Sequence, residues 1–397
     1  MRKKNILLTV PNLDSGGAER VVSRISEILN EDYNVFIALF DGSVQMYECK
    51  GEVINLNLPA KKNMVNKLLR IVQRIYRLKK VKKQYKIDTS ISFLETANII
   101  NILSKHNEKT VISVRNYIKK ERGNGLIDKI YVFLIKILFN RADYIVPVSK
   151  LLGQSLQEDY KINRDKIKVV YNPYNVDEIS SLSQYELEPR YKDFFTGENT
   201  VISIGRLSHQ KGYWHLIKAF KLVNEDLPSS KLVIIGQGPQ EEKIKSLIDE
   251  YELCDSVLLL GYQSNPFKYI KNSDLYVMTS LFEGFPNALV EAMACKKPVI
   301  STDCRSGPRE ILFDNSELNI CATEIEYADY GVIVPPLLEY EDWSTNIDYS
   351  DKVLAKAIMN VLTDDQIQTK YSRKAYNRAH DFSYQNCKKI LDEIIGL

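Results

Sequence analysis

Residues 273–303 read SDLYVMTSLFEGFPNALVEAMACKKPVISTD. The stretch opens on an apolar run at 274–279, passes through a loop holding Gly284 and Pro286, and takes up helical spacing from Pro286 or Asn287. It closes on a second apolar run at 298–302. Strand, helix and strand in that order form a βαβ unit, whose crossover makes the two strands parallel. Upstream, 200–205, 231–236 and 257–261 repeat the pattern, with a helix over 214–222 between the first two. The first half follows the same grammar, with strands predicted at 5–10, 35–40, 89–93, 110–114 and 144–148 and helices such as 20–29 between them. The fold class expected is α/β, with doubly wound parallel sheets that bind ligands at the carboxyl ends of their strands.

The length of 397 residues, 44% hydrophobic and 26% charged, suits two or three globular domains. After an apolar run at 167–171 come Asn172-Pro173-Tyr174-Asn175 and an acidic polar stretch to about residue 200. We place the boundary there. The expectation is a domain over 1–175, a second over 176–375, facing it across a cleft, and a C-terminal helix over 376–397 packing back on the first. Six cysteines without a C-x-x-C pair argue against a disulfide scaffold or zinc ribbon and for a reducing compartment. Four scattered histidines offer little for a metal site, so no metal is expected. The apolar run 6–10 is too short for a signal peptide, and 131–139 is too short to span a bilayer.

The net charge of +3 hides an asymmetry: residues 1–175 carry 31 Lys and Arg against 17 Asp and Glu, and residues 176–397 carry 23 against 34. One half is therefore +14 and the other −11, which points the first at an anionic partner. Residues 61–86 hold eleven basic side chains and no acid, with Leu68, Leu69, Val72, Ile75, Tyr76 and Leu78 at helical spacing. A second segment, 117–139, starts with Lys119, Lys120 and Arg122 and runs into Ile127, Ile130, Tyr131, Leu134 and Leu138. Each stripe can pack into the core beneath a solvated basic face, but two in one domain favour an anionic membrane surface. No nucleic-acid-binding signature accompanies the charge, so no nucleic acid partner is expected.

Four positions carry the chemistry. Gly16 and Gly17 stand between strand and helix, where backbone N–H groups suit an anion, although a double glycine also serves an ordinary turn. Gly236-Gln-Gly238-Pro239 lacks the third glycine of a dinucleotide fingerprint. Gly205-Arg206-Leu-Ser-His-Gln-Lys211-Gly212 leaves a strand with two cations that suit a diphosphate, or are simply solvated. Glu283 in the loop and Glu291 one turn inside the helix can face one crevice. Glu291 suits a ribose diol and Glu283 the group beyond the diphosphate, unless both serve only the helix dipole.

GRLSHQKG, IIGQGP, LLGYQSNP and residues 273–303 occur in that order over residues 205–303, and Glu283 and Glu291 stand in an E-x7-E spacing. In this the second half resembles retaining glycosyltransferase family 4, of GT-B fold. The SGGAER loop and VVYNPYNVD linker look similar to the family too, and GFPN and TDCRSGPREI resemble bacterial enzymes of capsule, O-antigen or lipid-linked oligosaccharide synthesis. The resemblance implies that Arg206 and Lys211 stabilise the departing nucleoside diphosphate, that Glu291 binds ribose, and that Glu283 with the backbone of Gly284, Phe285, Pro286 and Asn287 holds the donor sugar. Glu283, Arg206 and Lys211 would then be the catalytic set, with Gly16 and Gly17 at the diphosphate from the first domain. It also implies a metal-independent reaction, in keeping with the missing D-x-D motif, and no cofactor. Many relatives carry a histidine where this chain has Ser113-Val-Arg115-Asn116, so Arg115 or Asn116 takes that place or faces the acceptor. Residues 314–330 receive no assignment.

The function expected is transfer of a hexose or N-acetylhexosamine from a UDP-sugar to a polyprenyl-diphosphate-linked saccharide, by a peripheral protein on the cytoplasmic face of the membrane. A sugar-nucleotide epimerase, a transferase with a soluble acceptor, and a non-catalytic nucleotide-sugar or membrane-binding module are the alternatives.

Overall fold

The computed structural model describes residues 2–14, 16–60, 63–116, 126–197, 199–315 and 317–396, with the backbone alone for 64, 65 and 126–132. The chain divides into two units, Met1–Pro173 with Tyr384–Leu397, and Tyr174–Ser383. Both boundaries differ from the sequence expectation. The linker divides just before Tyr174, and the tail rejoins the first unit at 384 rather than 376. The reason is the helix Asp365–Ala379, whose Tyr371, Ala375 and Ala379 are buried and whose Tyr371 hydroxyl donates to Ala328 O at 2.9 Å in the second unit. Only the helix Tyr384–Ile395 turns Cys387, Leu391, Ile394 and Ile395 into the first core.

In the first unit the described strands are β1 (Asn5–Val10), β2 (Asn34–Leu39), β3 (Glu52–Asn55), β4 (Thr89–Phe93), β5 (Lys109–Val114) and β6 (Tyr144–Pro147). They form a parallel sheet in the order β3-β2-β1-β4-β5-β6, with Leu8 opposite both Ile37 and Ile91. The direction of winding therefore reverses between β1 and β4. The helices are α1 (Gly17–Asn30), α2 (Met64–Gln84), α3 (Glu95–Leu103), α4 (Leu126–Phe139) and α5 (Lys150–Glu158). Alternation along β1 builds the two cores: Ile6, Leu8 and Val10 pack with α1 and the C-terminal helix, while Leu7 packs with Leu78 and Val81 of α2 and Ala97 and Ile100 of α3. Residues 167–171 are not a strand; Ile167 makes one isolated bridge to Ile145. The edge strand β3 escaped the sequence because its side chains are largely exposed and show no apolar period.

The basic helix α2 differs from its sequence reading. Leu78 is buried, whereas Leu68, Leu69, Val72 and Tyr76 are between 56% and 72% exposed. At about 100° per residue these four share one arc with the exposed Lys79, Lys80 and Lys83. The outward face is thus apolar at its start and cationic at its end. Lys82 does not belong to it. Its ammonium is buried, 2.7 Å from Glu108 Oε1 and 2.9 Å from Asn101 O. In the second segment α4 leaves Phe133, Leu134 and Ile137 exposed. Lys119, Lys120 and Arg122, and the side chains of Ile127, Ile130 and Tyr131, lie outside the described residues. Among the described residues no helix is long and apolar enough to cross a membrane.

The second unit holds β7 (Thr200–Ile204), β8 (Lys231–Ile235), β9 (Val257–Gly261), β10 (Leu275–Met278), β11 (Val299–Thr302), β12 (Glu326–Tyr327) and β13 (Val332–Val334). Their order is β12-β13-β11-β10-β7-β8-β9, parallel except for the β12–β13 pair, so this sheet reverses between β7 and β10. β12 falls within the unassigned residues 314–330. They frame Arg309, whose guanidinium reaches Asp303 Oδ2 at 2.5 Å and Glu326 Oε2 at 3.1 Å, and Tyr330, whose hydroxyl donates to Asp314 at 2.7 Å.

Candidate functional site

In an open parallel sheet the ligand crevice lies outside the strand ends where the winding reverses. In the second unit that place is framed by the loops after β7 and β10, and they carry the residues singled out above. Beyond Gly205 the chain passes Arg206, whose side chain is exposed and makes no ion pair among the described residues. It then makes a tight turn at His209–Lys211. Gly212 ends that turn at φ 59° and starts the helix Tyr213–Asp226; a Cβ there would stand 2.4 Å from Thr279 O. Glycine is what lets the β7 loop lie against the end of β10. The approach is held by Thr279 Oγ1 donating to Lys211 O at 2.9 Å and by Leu281 N donating to Gln210 O at 2.8 Å.

This contact sets Lys211 against Glu283, with Nζ 2.6 Å from Oε1. The Gln210 amide donates to Phe282 O at 2.8 Å. The backbone of Glu283 is fixed from below, its N–H donating to Arg305 O at 3.1 Å and its carbonyl accepting from Ser306 N at 2.9 Å. Gly284, Phe285 and Pro286 then lead into the helix Asn287–Ala294. The Phe285 ring is buried edge-on against Phe382, 5.3 Å between centroids, which leaves its peptide as the group it can offer. Asn287 Oδ1 accepts from the Tyr174 hydroxyl at 2.6 Å. Glu291, fifth residue of the helix, is buried. Tyr276 of β10 is buried nearby; burial, then Tyr213, Glu283 and Glu291, push its phenol well above the usual range, so a neutral phenol lies within electrostatic reach of both glutamates.

Sequence reasoning missed several supports. Gly236, at φ 150°, and Gly238 would drive a Cβ to 1.9 Å from Gly205 O and 2.3 Å from Leu207 O, so the GQG turn is what lets two loop backbones touch. Gln210, Tyr213 and Tyr276 carry no motif of their own. The described residues also bring His215, Asp348 and Asp351 together as candidate metal ligands. Asp348 and Asp351 form a capping box on the helix Tyr349–Leu362, and the His215 ring reaches Asp351 Oδ1 at 2.5 Å and Leu338 O at 3.0 Å. Both ring nitrogens are thus already engaged within the protein, and the cluster reads as a stapled helix start.

The first unit carries the remaining candidates. Gly16 caps α1 and Gly17 begins it, with the Glu19 carboxylate folded back over Gly16. Burial raises the Glu19 pKa. The helix start the sequence offers to an anion therefore already has a carboxylate beside it. Arg115 follows β5, donating to Asn172 Oδ1 and, at 3.4 Å, to Ser113 Oγ; Asn116 is exposed.

Residues 15–178 match the Glycosyltransferase Family 4 profile, and residues 185–330 match Glycosyl transferases group 1. An uncharacterised glycosyltransferase of Methanocaldococcus jannaschii is 35% identical over 82% of each chain. The chain belongs to glycosyltransferase family 4. It is also 30% identical, over 94% of its length and 93% of the relative's, to the N-acetylgalactosamine-N,N'-diacetylbacillosaminyl-diphospho-undecaprenol 4-alpha-N-acetylgalactosaminyltransferase of Campylobacter jejuni. Among solved structures, HepE of Anabaena in complex with UDP superposes with a TM-score of 0.75 over 99% of both chains at 18% identity. That likeness shows the fold, GT-B, with two Rossmann-like parallel-sheet domains.

Proposed function

We propose that this glycosyltransferase moves a hexose or N-acetylhexosamine from a UDP-sugar to a polyprenyl-diphosphate-linked saccharide, retaining the anomeric configuration and using no metal ion. The observation that carries the reading is the set of Lys211 and Glu283, 2.6 Å apart, with Arg206 where β7 and β10 diverge. Arg206 and Lys211 take the diphosphate, the guanidinium holding oxygens in pairs and the ammonium adding a point charge. Glu291 accepts from the ribose hydroxyls. Glu283 and the peptides of Gly284, Phe285, Pro286 and Asn287 hold the donor sugar. As the anomeric C–O bond breaks, its electron pair goes to the diphosphate, where the two cations stabilise it. The acceptor oxygen bonds from the same face, and its proton passes to the leaving phosphate oxygen. The Campylobacter relative's name, with its diphospho-undecaprenol saccharide and alpha transfer, and the UDP bound by the Anabaena structure support this choice of donor, acceptor and stereochemistry.

The exposed face of α2 supports a place on the membrane. Leu68, Leu69, Val72 and Tyr76 would sink into the headgroup boundary while Lys79, Lys80 and Lys83 meet anionic lipid, with Phe133, Leu134 and Ile137 of α4 as a second apolar contact. A peripheral protein on the cytoplasmic face would meet its acceptor there. The donor reading is tested by thermal shift with UDP, GDP and ADP in EDTA. UDP alone is expected to raise the midpoint, and Arg206→Ala and Glu291→Ala to abolish the rise. A rise that survives both substitutions overturns the assignment, and no rise with any nucleotide overturns the donor.

A further inference from the structure

Beyond β13 the chain runs through residues 335–348 before the helix Tyr349–Leu362. This segment is pinned to the second unit at several points. The Tyr251 hydroxyl donates to Thr345 O at 2.9 Å, Lys218 Nζ reaches Asp342 Oδ2 at 2.9 Å, and Trp343 packs on Trp214 with 5.5 Å between ring centroids. Among these anchors stands Glu341. An ionised carboxylate only accepts hydrogen bonds, and this one draws its partners from three separate parts of the chain. Its Oε1 accepts from Gln240 Nε2 at 2.6 Å and lies 3.2 Å from His209 Nδ1. Its Oε2 accepts from Lys243 Nζ at 3.0 Å and from Trp343 Nε1 at 2.9 Å. The indole bond foremost, then Lys243 and His209 against partial desolvation, holds this carboxyl below its usual range, so it is an anion at neutral pH.

His209 opens the turn that ends in Lys211, and its ring stacks on Trp214 with 5.5 Å between centroids. Gln240 belongs to the neighbouring loop after β8, where its N–H donates to Leu207 O at 3.0 Å. The turn is therefore held on two sides. Thr279, Leu281 and Phe282 bind Gln210 and Lys211 from the β10 side, and Glu341 meets His209 while holding Gln240 on the β8 side. The first hold fixes the backbone of the turn on β10. The second sets the turn in register with the loop after β8.

Resting on the donor reading above, we propose that Glu341 is a positioning residue for the donor diphosphate: through His209 it fixes the turn from which Lys211 meets the phosphates. A segment anchor alone would serve stability and leave nucleotide binding untouched, so the two are measured side by side.

Glu341→Gln keeps the length of the side chain and one acceptor oxygen and removes the charge. UDP, GDP and ADP are titrated into the full chain in EDTA, followed by the emission of Trp214 and Trp343, the chain's two tryptophans, and urea unfolding is recorded on the same samples. The wild type is expected to bind UDP, and Glu341→Gln to raise the dissociation constant about tenfold, a usual size for coupling between two sites. In a Lys211→Ala background, where Arg206 still faces the diphosphate, Glu341→Gln should cause no further loss, because the group it positions is gone. Asp342→Asn loosens the same segment without touching the turn, so it should lose stability and bind UDP as the wild type does. The proposal is overturned if Glu341→Gln binds UDP as tightly as the wild type, if its effect and that of Lys211→Ala simply multiply, or if Asp342→Asn weakens UDP equally. A wild type that answers to none of the three nucleotides overturns the donor reading and this inference with it. A preference for GDP or ADP overturns the choice of UDP alone, and the same comparisons made with that nucleotide decide the role of Glu341.

Discussion

Asp342 shows how one side chain sets a pH dependence here. It lies 2.9 Å from Lys218 Nζ and accepts from Ser344 Oγ at 2.7 Å; those two bonds lower its pKa from 3.8 to about 2. A carboxyl that binds its proton less readily when folded stabilises the fold above its free pKa, and loses that contribution as pH falls through the folded one. Lys218 is 1% exposed, so an unpaired ammonium would remain in Asp342→Asn. We expect that variant to be about 1 kcal/mol less stable at neutral pH, a value kept small because Asp342 itself is a third exposed. Urea titrations should show the gap closing between pH 4 and pH 2. At this scale the sequence was legible where residue type and spacing both carry meaning. Lys211 and Glu283 were each singled out by chemistry, one for a diphosphate and one for the group beyond it, but the 2.6 Å contact between them was not foreseen. Lys82 could not be told from Lys79, Lys80 or Lys83, because its burial depends on Glu108 arriving from the start of β5, 26 residues away.

At the scale of elements, strongly periodic segments were readable and short ones were not. Asn5–Val10, buried from Ile6 onward, and Thr89–Phe93, buried throughout, fell where expected, whereas β3, β12 and β13 are two to four residues long and offer no period to count. The helix α2 was read as one amphipathic stripe, yet it has a buried face built on Arg74, Leu78, Val81 and Lys82 and an exposed face that is itself apolar and cationic in turn. The outward face carries the membrane prediction. Sedimentation with phosphatidylglycerol vesicles should recover the protein. The Leu69→Glu, Val72→Glu pair should weaken recovery even at low salt, while Lys79→Gln, Lys80→Gln, Lys83→Gln should weaken it by about 1 kcal/mol per charge and chiefly by removing its salt sensitivity. Recovery that stays equal in all variants would contradict a role for this face.

For the whole molecule, two sheets of the same grammar each reverse their winding once, and each reversal point gathers polar side chains from loops that are far apart in sequence. The second was legible because its residues fall in a recognisable spacing. At the first only Arg115 and Asn116 were singled out; Leu94 and Glu95 make no motif and become their neighbours only when β4 and β5 pair. Slow hydrolysis of the donor in the absence of acceptor reads out the transfer chemistry itself. UDP-α-N-acetylgalactosamine, UDP-α-N-acetylglucosamine and UDP-α-glucose are each followed by proton NMR in excess EDTA. One donor is expected to release UDP with the α-anomer of the sugar appearing first, and Lys211→Ala to slow the release by about 10²–10³, as loss of a preorganised charge at the leaving group would. Release of the β-anomer first, a strict need for a divalent ion, or a Lys211→Ala variant as fast as the wild type would contradict it.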